Sequence, residues 1–371
     1  MAAMNMPEAI TAEQFDELLL GARPMIDLRA PVEFAKGAFP SSVGLPLMTD
    51  QERELIGTCY KEQGQDAAIK LGHQLVQGDA KQQRVAAWVA QMGVRPDSIM
   101  YCFRGGLRSR ISQQWLADAG YPIAFVEGGY KALRQHCLTR TEELVAQLPA
   151  LVLSGRTGTG KTRVLVDFPR YVDLEATAHH RGSSFGKQFD PQPSQINFES
   201  ALTLRLLQLA KAGNQAVAFE DESRLIGRCM LPECLQAKLK ASPILVLEDD
   251  LEARVERILD EYVVEATAVR EQRLADKQVA FEHLSAGLQD SMYRIRKRLG
   301  AESHEEAQKL LANALQQQSL TDNFSAHKDW IRYLLNRYYD PMYDYQLSLK
   351  QERVVIRGTA NQLRTWLAEN N

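Results

Sequence analysis

The sequence predicts an α/β protein with two parallel-sheet domains and a mainly helical C-terminal extension. Short apolar runs typical of buried strands alternate with helix-forming segments through the first two thirds of the chain. Glycine-rich turns follow two of these runs, and helix-forming residues dominate from Leu251 onward. A chain of 371 residues is long enough for this organisation. We expect domains at 12–138 and 139–250 and the extension at 251–371.

The first domain is predicted to begin with a short helix and to continue with buried strands. Thr11 and Gln14 form a capping-box pattern, and Gly21 ends the helix. The further strands are predicted at 25–28, 43–47, 98–101 and 123–126, and the helices at 65–92, 107–119 and 130–148. Because strands and helices alternate, the sheet should be parallel.

The second domain repeats this alternation after a boundary near residue 140. Its strands are predicted at 151–153, 171–174, 216–219 and 244–247. The extension has few turn residues before Asp322, and no internal repeat is visible.

Composition narrows the class of protein. A net charge of -3 and a pI near 6.2 argue against nonspecific coating of nucleic acid but leave room for a local basic face. Five irregularly spaced cysteines do not form a disulfide framework, so a cytoplasmic setting is expected. The absence of a secretory pattern or a long apolar run predicts no export and no membrane contact. Four cysteines are interpreted as packing residues and not as zinc ligands: Cys59, Cys137, Cys229 and Cys234.

A phosphate-binding loop is predicted at 155–162, which matches G-x-x-x-x-G-K-[ST] between an apolar strand and a helix. Gly155, Gly158 and Gly160 let backbone N–H groups turn toward a phosphate, and Lys161 adds a full positive charge. The motif predicts a phosphate or diphosphate site without identifying ATP as the ligand. A glycine-rich turn with a chance lysine is the alternative.

Carboxylates follow the predicted strand at 216–219. Asp221 or Glu220 is the Walker-B candidate, while a solvated acidic turn is the alternative. No tightly bound cofactor is expected. Mg²⁺, if the protein uses it, would be held by Thr162 and Asp221. The histidine and arginine of the loop at 179–186 are interpreted either as phosphate contacts or as structural residues.

Cys102 follows a short apolar run and precedes a helix, a position where backbone N–H groups converge on a sulfur atom. The helix dipole and the charges of Arg104 and Arg108 favour a thiolate, so Cys102 is predicted to be nucleophilic. An inert buried thiol is the alternative. The spacing from Cys102 to Arg108 is C-x5-R, which permits a phosphatase as well as a rhodanese. The preceding D-x-R, E-F, G-x-x-P and L-P patterns at 27–46 favour a rhodanese-like domain.

A rhodanese-like domain followed by a P-loop domain resembles the tRNA 2-selenouridine synthase family over most of the chain. The matching stretches lie at 102–109, 155–162, 180–186, 192–195, 198–199 and 219–227. The resemblance implies a transferase that acts on the wobble 2-thiouridine of the tRNAs for lysine, glutamate and glutamine. It implies S-geranylation from geranyl diphosphate, then replacement of the geranylthio group by selenium from selenophosphate.

The resemblance also implies roles for the two loops. Lys161 and its neighbouring N–H groups would stabilise the diphosphate leaving group. Cys102 would carry selenium or assist its delivery. An enzyme that produces selenophosphate is a potential partner.

Binding of tRNA requires cationic side chains, and the extension contains a basic cluster. Its members are Arg294, Arg296, Lys297 and Arg298. Further candidates are Arg332, Arg337, Tyr333, Tyr338 and Tyr339. A solvated helix face is the alternative interpretation of the cluster.

Two other classes of function remain open on the sequence alone. One is a kinase or NTPase with a rhodanese-like or phosphatase-like regulatory module. Steady ATP hydrolysis would favour this class. The other is a nucleotide-dependent scaffold with an inert rhodanese fold, in which Cys102 would react no faster than free cysteine.

Overall fold

The computed structural model describes residues 6–370, which form two compact units. The first unit contains the described residues up to Leu144 together with Ser194–Lys211. The second contains Val145–Pro193 and the described residues from Ala212 onward. Both units have a parallel sheet accompanied by helices, which confirms the predicted α/β class.

The first unit is built on three short parallel strands. They are β1 (Met25–Asp27), β2 (Ser42–Gly44) and β3 (Ile99–Tyr101), in the order β2-β1-β3. The helices are α1 (Phe15–Leu20), α2 (Pro31–Ala35), α3 (Asp50–Gln63), α4 (Gln65–Leu75), α5 (Gly78–Val94), α6 (Leu107–Asp118) and α7 (Gly129–Gln147). A single helix was predicted over 65–92, but the chain forms two helices there, separated at Val76 and Gln77.

The strand predicted at 123–126 is only partly formed. Phe125 bridges Met100, and Val126 bridges Ile10, so the pairing is reduced to isolated bridges beside β3. The core under the sheet contains apolar residues from the strands and from α5, including Ile26, Trp88 and Met100. Cys102 therefore follows the carboxyl end of a strand that packs on this apolar core.

The second unit is built on a five-stranded parallel sheet. Its strands are β4 (Ala150–Gly155), β5 (Tyr171–Val172), β6 (Val217–Glu220), β9 (Ile244–Leu247) and β10 (Val354–Gly358), in the order β10-β9-β4-β6-β5. A separate antiparallel pair joins β7 (Leu225–Ile226) to β8 (Cys229–Met230). The helices interspersed with these strands are α8 (Lys161–Leu165), α9 (Leu174–Thr177) and α11 (Glu233–Ala241), while α10 (Gln195–Lys211) belongs to the first unit.

The predicted helical extension is present, with one addition. Its helices are α12 (Leu251–Leu259), α13 (Glu265–Leu274), α14 (Lys277–Leu299), α15 (Ala301–Thr321), α16 (His327–Leu334) and α17 (Asp340–Ser348). The chain then returns to the sheet as β10, a strand that was not predicted, and ends with α18 (Ala360–Asn370).

Two short π-helical turns interrupt the extension, at Asp260–Val264 and Leu335–Tyr339. Within residues 6–370, none of the helices combines the length and the apolar character that a membrane span requires.

Candidate functional site

The phosphate-binding loop joins β4 to α8 at the carboxyl end of the sheet, where α/β folds bind ligands. Gly158 and Gly160 adopt positive φ angles of 82° and 78°, which favour glycine. The loop is also packed tightly, because a Cβ atom on Gly155 would lie 2.8 Å from the carbonyl oxygen of Leu247. The sequence therefore folds here into a narrow turn that leads directly into the N-terminus of α8.

Lys161 and Thr162 lie at the first turn of α8. The Nζ of Lys161 donates to the carbonyl oxygen of Gly155 at 2.9 Å, across the mouth of the loop. The hydroxyl of Thr162 donates to Oε1 of Glu220 at 2.9 Å. Glu220 is buried at the end of β6, next to β4 in the sheet. Of the two Walker-B candidates, Glu220 is therefore the carboxylate that contacts Thr162.

Asp221 points to different partners. Its carboxylate accepts hydrogen bonds from the hydroxyl of Ser154 and from Nζ of Lys350. These contacts place the Asp221 carboxylate in an ion pair, whereas the Thr162 hydroxyl binds Glu220. Glu220, and not Asp221, is therefore the carboxylate that lies beside Thr162, since β6 turns its last side chain toward α8 and the next one away. The oxygens of Thr162 and Glu220 are of the type that Mg²⁺ prefers.

Three glutamates surround this position: Glu175, Glu220 and Glu222. The backbone N–H of Glu175 donates to Oε2 of Glu220 at 3.0 Å. Burial, followed by the charge of Glu222, raises the pKa of Glu175 to about 8. Burial and the charge of Glu175 likewise raise the pKa of Glu220. Because a cation stabilises ionised carboxylates, positive charge bound here would reverse these shifts.

The raised carboxyl pKa values predict a loss of stability as the pH rises from about 4.5 to about 8. A carboxyl whose pKa rises from 4.5 to about 8 on folding stabilises the fold at low pH, and this contribution is lost as the pH rises through 8. Between pH 6 and pH 9 the melting temperature should therefore fall. In Glu175→Gln the fall should be smaller by at least about 2 °C, measured by calorimetry. Glu302→Gln, an exposed control on α15, should show the same fall as the unmodified protein; equal falls in both variants would contradict the assignment.

The extension braces the phosphate-binding loop through two arginines that the sequence patterns did not single out. Arg254 on α12 is buried, donates from Nε to the carbonyl oxygen of Thr157 at 2.9 Å and binds Asp340 at 2.6 Å. Arg257, one turn later, donates to the carbonyl oxygen of Gly158. The sequence predicted helical structure from Leu251 onward but could not show that an arginine of this helix would be buried.

The loop at 179–186 lies close to the glutamates. A Cβ atom on Gly182 would lie 2.6 Å from Oε1 of Glu175 and 2.7 Å from Oε1 of Glu222, so only glycine fits there. Arg181 donates to the carbonyl oxygen of Glu261 and lies over the ring of Tyr262, so the extension holds its guanidinium. Burial and then the charge of Arg294 lower the pKa of His180. This loop connects the carboxylate cluster to the extension.

Cys102 occupies the first position after β3, and its side chain is only 2% exposed. Its carbonyl oxygen accepts from the backbone N–H of Tyr130 at 2.8 Å, and Gly105 turns through a positive φ of 60°. A Cβ atom on Gly105 would lie 2.6 Å from the backbone nitrogen of Gly128. Residues 102–108, called the cysteine loop below, therefore pack against the Gly128–Gly129 turn at the start of α7.

The two arginines of the cysteine loop have different surroundings. Arg104 is exposed, and its guanidinium lies 5.9 Å from the ring centre of Phe103. Arg108 binds Glu33 at 3.1 Å. Burial opposes ionisation of Glu33, yet the charge of Arg108 lowers the pKa of that carboxyl overall. Because Glu33 neutralises Arg108, Arg104 is the arginine of this loop that is open to an incoming anion.

Asp27 and Arg29 form a buried ion pair at 2.6 Å, and Arg29 also donates to the carbonyl oxygen of Gly37 at 2.7 Å. The guanidinium of Arg29 lies 3.7 Å from the ring centre of Tyr130. The D-x-R residues therefore brace the segment that follows β1.

The basic cluster lies near the C-terminal end of α14. Arg294 donates to the carbonyl oxygen of Ser184 at 3.3 Å, and Arg296 stacks on Tyr293 at 3.5 Å. Lys297 and Arg298 are exposed. The further tyrosine candidates are corrected in part, because Tyr338 and Tyr339 are buried in the helical core and cannot stack on a base.

Comparisons with known proteins match most of the chain. Residues 148–371 match the family model described as the tRNA 2-selenouridine synthase AAA domain. A tRNA 2-selenouridine synthase of Shewanella frigidimarina (strain NCIMB 400) is 49% identical over 368 residues, covering 98% of this chain and 99% of that protein. The protein of the same name from Shewanella halifaxensis (strain HAW-EB4) is 48% identical over 358 residues, covering 96% of this chain and 98% of that protein.

Proposed function

The chain belongs to the tRNA 2-selenouridine synthase family, and from this we propose that it converts 2-thiouridine at the wobble position of tRNA to 2-selenouridine. It is thus an enzyme that acts on tRNA, and we assign it as a transferase. The substrates would be the tRNAs for lysine, glutamate and glutamine. The conversion would pass through S-geranyl-2-thiouridine, with geranyl diphosphate and selenophosphate as co-substrates.

In the first step the sulfur of 2-thiouridine attacks C1 of the geranyl group. The new C–S bond forms as the C1–O bond breaks, the diphosphate leaves with the electron pair, and the base loses its N3 proton. The phosphate-binding loop suits this step, because Lys161 and the N–H groups of the loop can face the departing oxygen. Lys161 would exchange its hydrogen bond to Gly155 for one to the diphosphate. Mg²⁺ held by Thr162 and Glu220 would neutralise further negative charge when bound.

In the second step selenium attacks C2 of the base, geranylthiol leaves, and water takes up the phosphoryl group of selenophosphate. Selenium stays at the selenide level of selenophosphate in this step, so Cys102 would assist its delivery without forming an S–Se bond, at a loop whose exposed Arg104 can attract an anion. A selenophosphate-producing enzyme is the expected supplier. The Arg108–Glu33 ion pair gives a phosphatase less support, because that arginine is already neutralised.

One observation carries the proposal: a single chain contains a phosphate-binding loop and a cysteine loop, each at the carboxyl end of a parallel strand. Incubation of thiolated tRNA with both co-substrates, followed by mass spectrometry of the nucleosides, tests it directly. The expected products are geranylthiouridine and then selenouridine. Steady ATP hydrolysis without either nucleoside would replace the proposal by the NTPase alternative.

The basic cluster on α14 predicts a salt-dependent contact with tRNA. Changing Arg294, Arg296, Lys297 and Arg298 to glutamine should weaken binding. It should also reduce the slope of log affinity against log salt, by up to about 0.9 for each tRNA phosphate that the variant no longer neutralises. Specific and unrelated RNAs should be affected alike, because phosphate contacts do not read sequence. Fluorescence anisotropy over a range of KCl concentrations measures both quantities.

A control for this variant is Lys240→Gln with Lys309→Gln, which removes two exposed charges from other helices. Its slope should match that of the unmodified protein. An unchanged slope in the quadruple variant would mean that tRNA contacts another surface. The loop around His180 and Arg181 is the next candidate.

A further inference from the structure

An apolar cleft opens beside the phosphate-binding loop within the second unit. A void of about 20 Å³ continues into a space of about 300 Å³ that includes the open mouth. Six apolar side chains form most of its wall: Phe185, Ile258, Trp330, Ile331, Leu334 and Leu335. We propose that this cleft binds the isoprenoid chain of an allylic diphosphate whose diphosphate group lies on the phosphate-binding loop. The inference rests on the proposed geranyl transfer and assigns its hydrocarbon subsite.

The cleft is continuous with the loop. Thr157 belongs to both, since it lies between Gly155 and Lys161 and also lines the cleft. Ile258 contacts the loop itself, because a Cβ atom on Gly158 would lie 2.6 Å from Cδ1 of Ile258. A ligand with its phosphate on the loop therefore has an apolar wall within reach of its next atoms.

The lining of the cleft combines a few hydroxyl groups with apolar side chains. Hydroxyl groups of Thr157, Ser183 and Tyr262 line it, and Ser183 donates to the Tyr262 hydroxyl at 3.3 Å. The apolar part of the wall includes Phe185 stacked on Trp330, with ring centres 5.3 Å apart. None of the ten described residues that line the cleft carries a charge. An amphiphile with a hydrocarbon chain fits this pattern better than a nucleoside, whose base and sugar need more polar partners.

The chain would enter by widening the cleft. The void holds about one water molecule, so the wall must move apart to admit a hydrocarbon of ten carbons. Three lining residues lie on the π-helical turns: Tyr262 on Asp260–Val264, and Leu335 and Tyr339 on Leu335–Tyr339. Such turns are rare and concentrate at functional sites. The cleft is thus walled by the segments of the extension whose backbone departs most from a regular helix.

Chain-length selectivity tests the assignment. Leu334→Ala enlarges the cleft, so the ratio of farnesyl to geranyl transfer to thiolated tRNA should rise at least about tenfold. Leu288→Ala is the matched control, because Leu288 is a buried leucine of the same helical core that does not line the cleft. Both changes reduce stability, but a ratio measured in one sample does not depend on the folded fraction. The ratio for Leu288→Ala should stay at the value of the unmodified protein.

Ile331→Phe provides the opposite change. Added volume should lower geranyl transfer relative to dimethylallyl transfer by about tenfold. If the unmodified protein geranylates tRNA and neither variant shifts its ratio, the cleft does not bind the chain, although the proposed function stands. If Leu288→Ala shifts the ratio as far as Leu334→Ala does, the cleft assignment is also wrong. If the unmodified protein transfers no prenyl group at all, the proposed function itself fails, and the subsite fails with it.

Discussion

Cys102→Ser should stop selenium incorporation while geranylation of tRNA continues, so that S-geranyl-2-thiouridine accumulates. The substitution removes the thiol of the residue that follows β3 and leaves the phosphate-binding loop in the other unit unchanged. Selenouridine formation should fall at least roughly a hundredfold, as expected when a nucleophile is lost. Mass spectrometry of the nucleosides, with both co-substrates present, measures product and intermediate together.

Cys59→Ser is the control for this variant, because it makes the same atomic change at another buried cysteine of the first unit. It should retain selenouridine formation. Selenouridine produced at the normal rate by Cys102→Ser would remove Cys102 from the mechanism and leave it as a packing residue.

The burial of Cys102 is compatible both with a role in selenium delivery and with an inert core thiol, and this experiment decides between them. Cys102 belongs to the same buried apolar cluster as Ile26, Leu28 and Met100, which is where an inert core cysteine would also lie. The loop that follows is different, since Arg104 is exposed and Gly105 turns toward the Gly128–Gly129 turn. Reagents would therefore approach Cys102 from the side of the loop, where Arg104 can attract an anion.

Much of the fold was predictable because its local patterns agree with its tertiary structure. The apolar run at 244–247 became β9 with the same bounds, since four consecutive apolar residues suit a strand that is covered on both faces. The Gly-Lys-Thr motif fixed the position of α8. Where local and tertiary preferences coincide, a single sequence carries the required information.

The missed elements depend on distant partners. Half-buried and exposed residues alternate along Val354–Gly358. This segment forms a strand because it pairs with Ile244–Leu247 at the edge of the sheet. The choice between Glu220 and Asp221 could not be made from spacing either, because it depends on which side chain β6 turns toward α8. Arg254 could not be distinguished from a surface arginine in the sequence, because its partner Asp340 lies 86 residues later.

Lys161→Ala should abolish geranylation and, through it, selenation that starts from thiouridine. As the C1–O bond breaks, negative charge collects on the diphosphate, and Lys161 supplies a full positive charge at the N-terminus of α8. Loss of one such donor typically costs about 3 to 4 kcal/mol of activation free energy, or roughly a hundredfold to a thousandfold in rate. Single-turnover geranylation of thiolated tRNA measures the effect. Arg163→Ala is the matched control, because it removes a charge from the same helix that is paired with Glu261 at 3.0 Å, and it should remain active.

Supplying tRNA that already carries the geranyl group separates two models of the site. If the phosphate-binding loop serves only the first step, Lys161→Ala should convert this tRNA to selenouridine at the normal rate. If selenophosphate also docks on the loop, conversion should fail, because the same charge would be missing from the second anion. We expect the first result, since the cysteine loop has its own exposed cation in Arg104. A Lys161→Ala variant that geranylates normally and loses only an ATPase activity would instead overturn the diphosphate assignment and favour the NTPase alternative.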